Sequence, residues 1–396
     1  MPRFGFTTGS CSAAAAKAAT YMLLTGKIKN ETYITTPKGV IFHAHIVDIT
    51  RTEDAVSCAV VKDGGDDPDI TTGAHICATV SIVSDRECGY GEAVEKIASE
   101  VKNIRVSSEN RIIIEGGEGV GVVTKPGLDQ PVGNAAINSV PRKMIVSEVA
   151  EVMDVCDFKG ILRVIITVPE GRELAKKTFN PRLGIVDGIS ILGTSGIVEP
   201  MSSEALIATI QTELNQKKAL GWEYVPISPG NYGLEFMKRV YDFDLDVSVK
   251  CSNFVGDTFE MVKNAGFEGV LFTGHIGKLV KVAGGMMNTH SKYGDNRMQV
   301  IAECARRCGV GDEIIAQIHD SVATEDAIDI LDRVINSELN LRNEVMNMIL
   351  EGVLINIRKV VGDAIQVDCM MYSNKQGLLA KSDGVERMLE IVKKQI

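Results

Sequence analysis

The chain of 396 residues carries 42 basic and 52 acidic side chains, a net charge of −10, with 45% hydrophobic and 24% charged residues. At about 100–200 residues per domain this length predicts two domains with sizeable cores, and the ordinary composition excludes disordered, collagenous and coiled-coil classes. The acidic balance argues against a general nucleic-acid binder, yet it permits an anionic small molecule in a local basic cleft.

Taken from the start, the Ala-rich run predicts a helix over 10–24, ended by Gly26. Lys17 interrupts it, so it does not read as a signal peptide, and a cytoplasmic location is expected. Short β-like runs follow at 32–36, 40–47, 55–61, 76–84 and 111–114. The longest stretch without Asp, Glu, Lys or Arg, residues 70–84, has 15 residues, short of the ~20 of a membrane span. No membrane partner is therefore expected. A glycine-rich passage over 116–133 leads to a helix over 142–155, with Pro141 at its start. Residues 1–157 thus read as an α+β domain.

Beyond residue 158 the rhythm changes. Apolar runs at 161–168, 189–198, 223–227, 247–251 and 270–273 alternate with helical patterns at 202–218, 233–241 and 258–265. Continuous apolar strands alternating with helices predict a largely parallel sheet covered on both faces. Helices dominate 296–361, and a strand at 364–371 and a helix at 385–394 close the chain. Residues 158–396 read as a Rossmann-like α/β domain with a C-terminal helical extension. The carboxyl ends of the five runs are rich in Gly, Ser, Thr and Asn. That suits a ligand cleft at a parallel-sheet edge, and it equally suits ordinary strand-to-helix turns.

Three glycine patterns compete for a cofactor. Gly117, Gly119 and Gly121 have the spacing of a methyl-donor loop, but β-branched residues follow where a helix should open. A glycine-rich turn or bulge is the competing reading. Gly274 and Gly277 flank His275 and precede Lys278, too short a pattern for a triphosphate loop. Thr7, Thr8, Gly9 and Ser10 open the Ala-rich helix, either as an anion cradle or as simple caps.

Basic residues cluster at Arg172, Lys176, Lys177 and Arg182, and again at Lys278, Lys281, Lys292 and Arg297. The two parts of the chain are equally acidic, with 15 basic against 20 acidic residues through Val155 and 27 against 32 beyond. The clusters are therefore local, and they suit a small polyanion. The acidic segment 63–69 is either a cation site or a solvated turn. Nine Cys, an odd number, with no C-x-x-C pair, read as reduced thiols. His43 and His45 share one face of a strand, but two imidazoles without a third ligand make no metal site, and none is expected.

Several long segments resemble the CbiD family of anaerobic cobalamin biosynthesis. They are GFTTGSCSAAAAKAA (5–19), VKDGGDDPDITTGAHI (61–76), GGEGVGVVTKPGLDQPVGNAAIN (116–138), NPRLGIVDGISILGTSGIVEPMS (180–202), PGNYG (229–233) and FTGHIGKLVKVAGGMMNTHSKYGDNR (272–297). One departure is Ser139, where a Pro is expected before Val140. The resemblance implies methyl transfer from S-adenosyl-L-methionine to carbon 1 of cobalt-precorrin-5B, giving cobalt-precorrin-6A. It also implies an α+β N-terminal part and a Rossmann-like C-terminal part.

Cobalt would then arrive only as part of the anionic tetrapyrrole. On this reading Arg172, Arg182, Lys278 and Lys281 are candidates for the substrate's carboxylates, with Thr8 and Ser10 adding hydroxyls. The turns Gly193-Thr194-Ser195-Gly196 and Gly274–Gly277, and the run at Gly117, Gly119 and Gly121, are candidates for cofactor contact. The resemblance makes no general acid or base an obvious requirement; the catalytic residue stays open, with His275 as a candidate. The alternatives are a non-catalytic corrinoid-binding protein and a nucleotide-cofactor oxidoreductase. The latter is disfavoured because G-x-G-x-x-G is missing after the run at 161–168. Neighbouring pathway enzymes and a homo-oligomer stand open as partners.

Overall fold

The Ala-rich start forms helix α1 (Thr8–Thr25). Thr7 caps it by accepting from the Ser10 N–H at 3.2 Å, and Gly26 ends it at φ 74°. Its alanines are buried almost all round, which lets the helix lie close to its neighbours. The computed structural model describes residues 3–83, 112–200, 202–333 and 341–396; Cys88, Arg111 and Ser84 lie outside them. The chain divides into two units, Met1–Ser203 and Glu204–Ile396.

In the first unit, β1 (Glu31–Thr35) and β2 (Ile41–His45) form an antiparallel hairpin that pairs Glu31 with His45 and Tyr33 with His43. Alternation buries Thr32, Ile34, Phe42 and Ala44 and exposes the other face. The single run expected at 40–47 is therefore two strands. After His45 the chain leaves the hairpin, and β3 (Val47–Arg51) joins β4 (Ala55–Val61), β5 (His75–Val83), β6 (Ile112–Gly116) and β7 (Ile161–Thr167). The order of this sheet is β3-β4-β5-β7-β6. Strand β7 runs antiparallel to β5 and parallel to β6.

This pairing corrects the expected boundary at residue 157. The run at 161–168 belongs to the first sheet, not to the parallel one. The run at 189–198 forms no long strand; Gly188–Ile189 and Ile197–Val198 each pair in a two-stranded ribbon, and Ile191 makes a single bridge to Ile137. Helix α2 (Ser139–Val155) packs against α1. Ser139 donates its backbone N–H (2.7 Å) and hydroxyl (2.8 Å) to Asp129 Oδ1, contacts that the expected Pro has no hydrogens to make. Arg142 is buried, and its guanidinium donates to the carbonyls of Ile137, Ile114 and Ala135.

The acidic segment is a structural turn. Arg3 pairs with Asp63, the Arg3 N–H donates to Asp66 at 2.6 Å, and Asp69 neutralises Lys62, which is 2% exposed. Lys62 beside Asp69 holds that carboxyl below its usual range against the upward push of burial.

The second unit holds β8 (Tyr224–Ser228), β9 (Val249–Lys250), β10 (Gly269–His275), β11 (Gln366–Ser373) and β12 (Gly377–Lys381). The order is β9-β8-β10-β11-β12. The first four strands are parallel and β12 returns antiparallel. Strand β12 went unread because Gly377 and Lys381 leave it only three apolar positions.

Helices α3 (Ser203–Ala219), α4 (Leu234–Tyr241) and α5 (Val255–Ala265) stand where helical patterns are expected, and α6 (Ile276–Ala283) is a further helix that the pattern did not give. The helical region supplies α7 (Arg297–Arg307), α8 (Asp312–His319), α9 (Thr324–Arg333) and α10 (Leu341–Val361), and α11 (Val385–Gln395) ends the chain. The eight described cysteines are free thiols, and burial raises most of them, Cys251 to about 12. No helix among the described residues is long and apolar enough to cross a membrane.

Candidate functional site

In a parallel sheet the strand-to-helix turns converge at the carboxyl edge, where helix N-termini also point. A cavity of ≈190 Å³ opens at this edge of the second unit. Pro229, Gly230, Tyr232, His275, Gly277, Lys278, Tyr372 and Asn374 line it. Strand β8 delivers Pro229 and Gly230, β10 delivers His275, and β11 delivers Tyr372 and Asn374. A larger open depression of ≈660 Å³ lies at the opposite edge, lined by Tyr224, Glu268, Arg358, Asp363 and others. That depression lies at the amino ends of the strands, where Gly384 caps α11; the strand-to-helix turns of β8 and β10 converge on the carboxyl-edge cavity, which is the better candidate.

His275 is fixed at both ends. Its Nδ1 accepts the Gly277 N–H at 3.1 Å, which caps α6. That bond requires an unprotonated Nδ1, so the ring is neutral with its hydrogen on Nε2. Nε2 is buried and 3.1 Å from Glu325 Oε1, off a good hydrogen-bond line, so the neutral ring meets the carboxylate only as a dipole. Burial pushes the His275 pKa below its ordinary 6.5, outweighing the opposing pull of Glu325. With one nitrogen spent and the other buried, His275 orients the turn and is poorly placed to move a proton.

Lys278 is the basic group of the cavity. Its Nζ donates to Ser252 O at 3.1 Å, and burial lowers its pKa from 10.5. Ser252 holds φ 52°, a left-handed conformation uncommon for a non-glycine residue. An ammonium beside the positive end of α6 makes this corner favourable for a carboxylate.

Aromatic rings form the opposite wall. Tyr372, 1% exposed, stacks on Phe236 (5.6 Å between centroids) and meets His275 edge-on (5.9 Å); Tyr232 tilts over His275 at 6.3 Å. Gly233 is forced by this packing, because a Cβ there would lie 2.3 Å from the Tyr372 ring. At Gly230, in contrast, a Cβ would meet nothing within 4 Å.

The other expected site residues lie elsewhere or are already engaged. Lys281 is buried and donates to Thr289 O (3.4 Å) and Gly294 O (3.2 Å), so it fastens a loop instead of facing a ligand. Arg172 is exposed in the first unit. Arg182, also in that unit, is half-buried and already partnered.

Thr8 and Ser10 are buried; Thr8 Oγ1 exchanges bonds with Leu192, and Ser10 Oγ donates to Gly196 O at 2.6 Å. The Gly9 N–H is taken by Leu192 O at 3.1 Å. The expected anion cradle at α1 is therefore closed by the turn Gly193-Thr194-Ser195-Gly196. That turn fits closely: a Cβ on Gly193 would strike Thr7, and one on Gly196 would strike Thr36.

The run Gly117, Gly119 and Gly121 is likewise a packing junction. Gly119 (φ 72°) pairs with Gly188, and its carbonyl would lie 2.0 Å from a Cβ on Gly171. A Cβ on Gly119 would fall 1.8 Å from Val168 O. Short strands follow it, not a helix. Of the sequence candidates, the structure brings Gly277, His275 and Lys278 together at the cavity, with Gly274 directly behind, packed on Leu279. Tyr232, Tyr372, Asn374 and Glu325 were missed. The signal for Tyr372 was available, since it stands at the carboxyl end of a strand legible at 364–371.

The chain is thus a two-unit α/β protein whose second unit has an aromatic-walled cavity with one lysine at a parallel-sheet edge. Family models described as CbiD and as CbiD, C-terminal domain match residues 1–200 and 288–383, and the chain belongs to the CbiD family. It is 42% identical over 370 residues to a cobalt-precorrin-5B C(1)-methyltransferase of Ruminiclostridium cellulolyticum, covering 93% of this chain and 88% of that one. A protein of the same description from Thermoanaerobacter is 42% identical over 381 residues, covering 96% and 95%. A crystal structure of a cobalamin biosynthesis protein (cbiD) from Archaeoglobus fulgidus aligns with 24% identity and a TM-score of 0.38, covering 74% of this chain and 84% of that one. A likeness that loose in shape carries no argument.

Proposed function

We infer that this chain is a methyltransferase acting on carbon 1 of cobalt-precorrin-5B. The observation that carries this is its 42% identity, over nearly its whole length, to relatives described by that activity. The corrinoid-binding and oxidoreductase alternatives gain no support from those relatives. We read the methyl donor as S-adenosyl-L-methionine, the cobalt as part of the substrate, the location as cytoplasmic, and the second unit as Rossmann-like. The last is supported by the run of parallel strands β9-β8-β10-β11 with helices between them.

On this reading the carboxyl-edge cavity is where the ligands are held. S-adenosyl-L-methionine supplies, when bound, an electrophilic methyl group on a sulfonium. The residues present fit a ligand that joins an apolar or aromatic part to a carboxylate. Pro229, Tyr232 and Tyr372 offer an apolar wall, and Gly230 and Gly277 leave room for close approach. Lys278 and the N-terminal end of α6 draw a carboxylate. His275 holds the Gly277 turn in place. The chain's main contribution is then alignment of the reacting atoms and exclusion of water, with no proton transfer assigned to a side chain.

Calorimetry with S-adenosylhomocysteine, followed by mass spectrometry of cobalt-precorrin-5B incubated with donor and protein, tests the reading. Binding and a mass gain of one methyl group are expected. Neither binding nor mass gain would overturn it.

A further inference from the structure

The solvent face of the β1–β2 hairpin carries a third ligand that the strand pattern of His43 and His45 did not disclose. Glu31 stands directly across from His45 in the antiparallel register, and His43 is its diagonal neighbour. One ligand atom from each of Glu31, His43 and His45 lies within 4.8 Å of the other two, and all three side chains are exposed. His43 Nε2 is 2.8 Å from Glu31 Oε2, and the two imidazole rings are 4.9 Å apart.

The platform beneath is rigid. Phe42 stacks on Phe6 at 3.9 Å between centroids, and the turn is closed by paired bonds between Thr36 and Val40. Tyr33 stacks on the His43 ring at 4.4 Å with an interplanar angle of 11°, which fixes the direction of its nitrogens.

We propose that Glu31, His43 and His45 form a binding site for a divalent first-row transition-metal ion. Tetrahedral coordination at about 2.0–2.1 Å separates neighbouring ligand atoms by about 3.3 Å. Small side-chain rotations on a fixed hairpin reach that spacing from the observed one. The ion enters between His43 and Glu31, replacing their mutual contact, and His45 closes the third corner. A fourth position faces water. Two imidazoles and one carboxylate favour Zn²⁺, Ni²⁺, Cu²⁺ or Co²⁺ over Mg²⁺ and Ca²⁺, which take oxygen ligands. The site lies on the hairpin, and its chemistry owes nothing to the cobalt of the substrate.

The test uses Zn²⁺ alone, titrated calorimetrically into the full chain under reducing conditions, with Mg²⁺ as control. A one-to-one component is expected with Zn²⁺ and none with Mg²⁺. His43→Ala and His45→Ala should each weaken it at least tenfold, and Glu31→Gln by less. Zn²⁺ should also raise the melting temperature of the unaltered chain and not that of His43→Ala, a second readout that holds if the alanine chains melt differently. Zn²⁺ affinity unchanged in both histidine variants would assign the ion to the cysteines and overturn the proposal, as would no Zn²⁺ binding at all.

Discussion

The crowded glycines of the first unit and Gly230 of the second serve opposite purposes, although Gly233, three residues on, is itself packed against Tyr372. In the first, Gly117, Gly119, Gly121, Gly193 and Gly196 are places where backbone meets neighbouring atoms so closely that no side chain fits. In the second, Gly230 borders a cavity where a side chain would meet nothing. One sequence signature, a glycine-rich turn after an apolar run, thus serves as a packing junction at Gly119 and borders an open cavity at Gly230. Topology decides between them. Turns at the carboxyl edge of parallel strands face an opening, whereas the turns of the first unit close on α1 and on each other.

The largest expected effect falls on the packed side. Gly119→Ala must move the Val168 carbonyl and hold a left-handed φ of 72°. Overpacking and backbone strain of this kind cost about 3–5 kcal/mol together. Urea unfolding should show that loss; a midpoint within error of the parent would mean that the first unit's glycines are not junctions. Lys278→Ala sharpens the other side. It should weaken corrinoid binding by about tenfold, on the scale of one charge-assisted bond, and make it less salt-sensitive, with unchanged stability. Affinity equal to the parent's at both low and high salt would remove Lys278 from the cavity's chemistry.

A smaller effect falls on His275. His275→Ala loses the cap on Gly277 and should cost about 1 kcal/mol, most of which His275→Asn restores. The folded-state pKa of His275 lies below its ordinary 6.5. The unfolded chain therefore takes up the proton first, and the group's contribution to stability is lost as pH falls below about 6.5. His275→Asn should lack that slope in thermal melts between pH 7 and 5. An identical slope would place the titration elsewhere.

Much of the fold was legible because local chemistry and packing agree. Thr7 and Gly26 bracket α1, and the alternation of β1 and β2 states which face is buried. The domain boundary was not legible. An apolar run such as Ile161–Thr167 looks the same in a parallel sheet and in the middle of a mixed one, and only its pairing with β5 and β6 tells them apart. At the site, Lys278 and Gly277 stood out by type and position, but Lys281, Thr8 and Ser10 did not disclose that backbone carbonyls had already claimed them. Glu31 escaped notice for a related reason. The register that puts it beside His45 is a property of the hairpin, 14 residues away in sequence.

Gly230→Leu tests the contrast most directly. A leucine there enters open space on the cavity wall and leaves the fold intact. The account predicts an unchanged melting temperature and methyl transfer to cobalt-precorrin-5B reduced by at least tenfold. Full activity in a Gly230→Leu protein of normal stability would contradict it, because the reaction would then not use the carboxyl edge of the second unit.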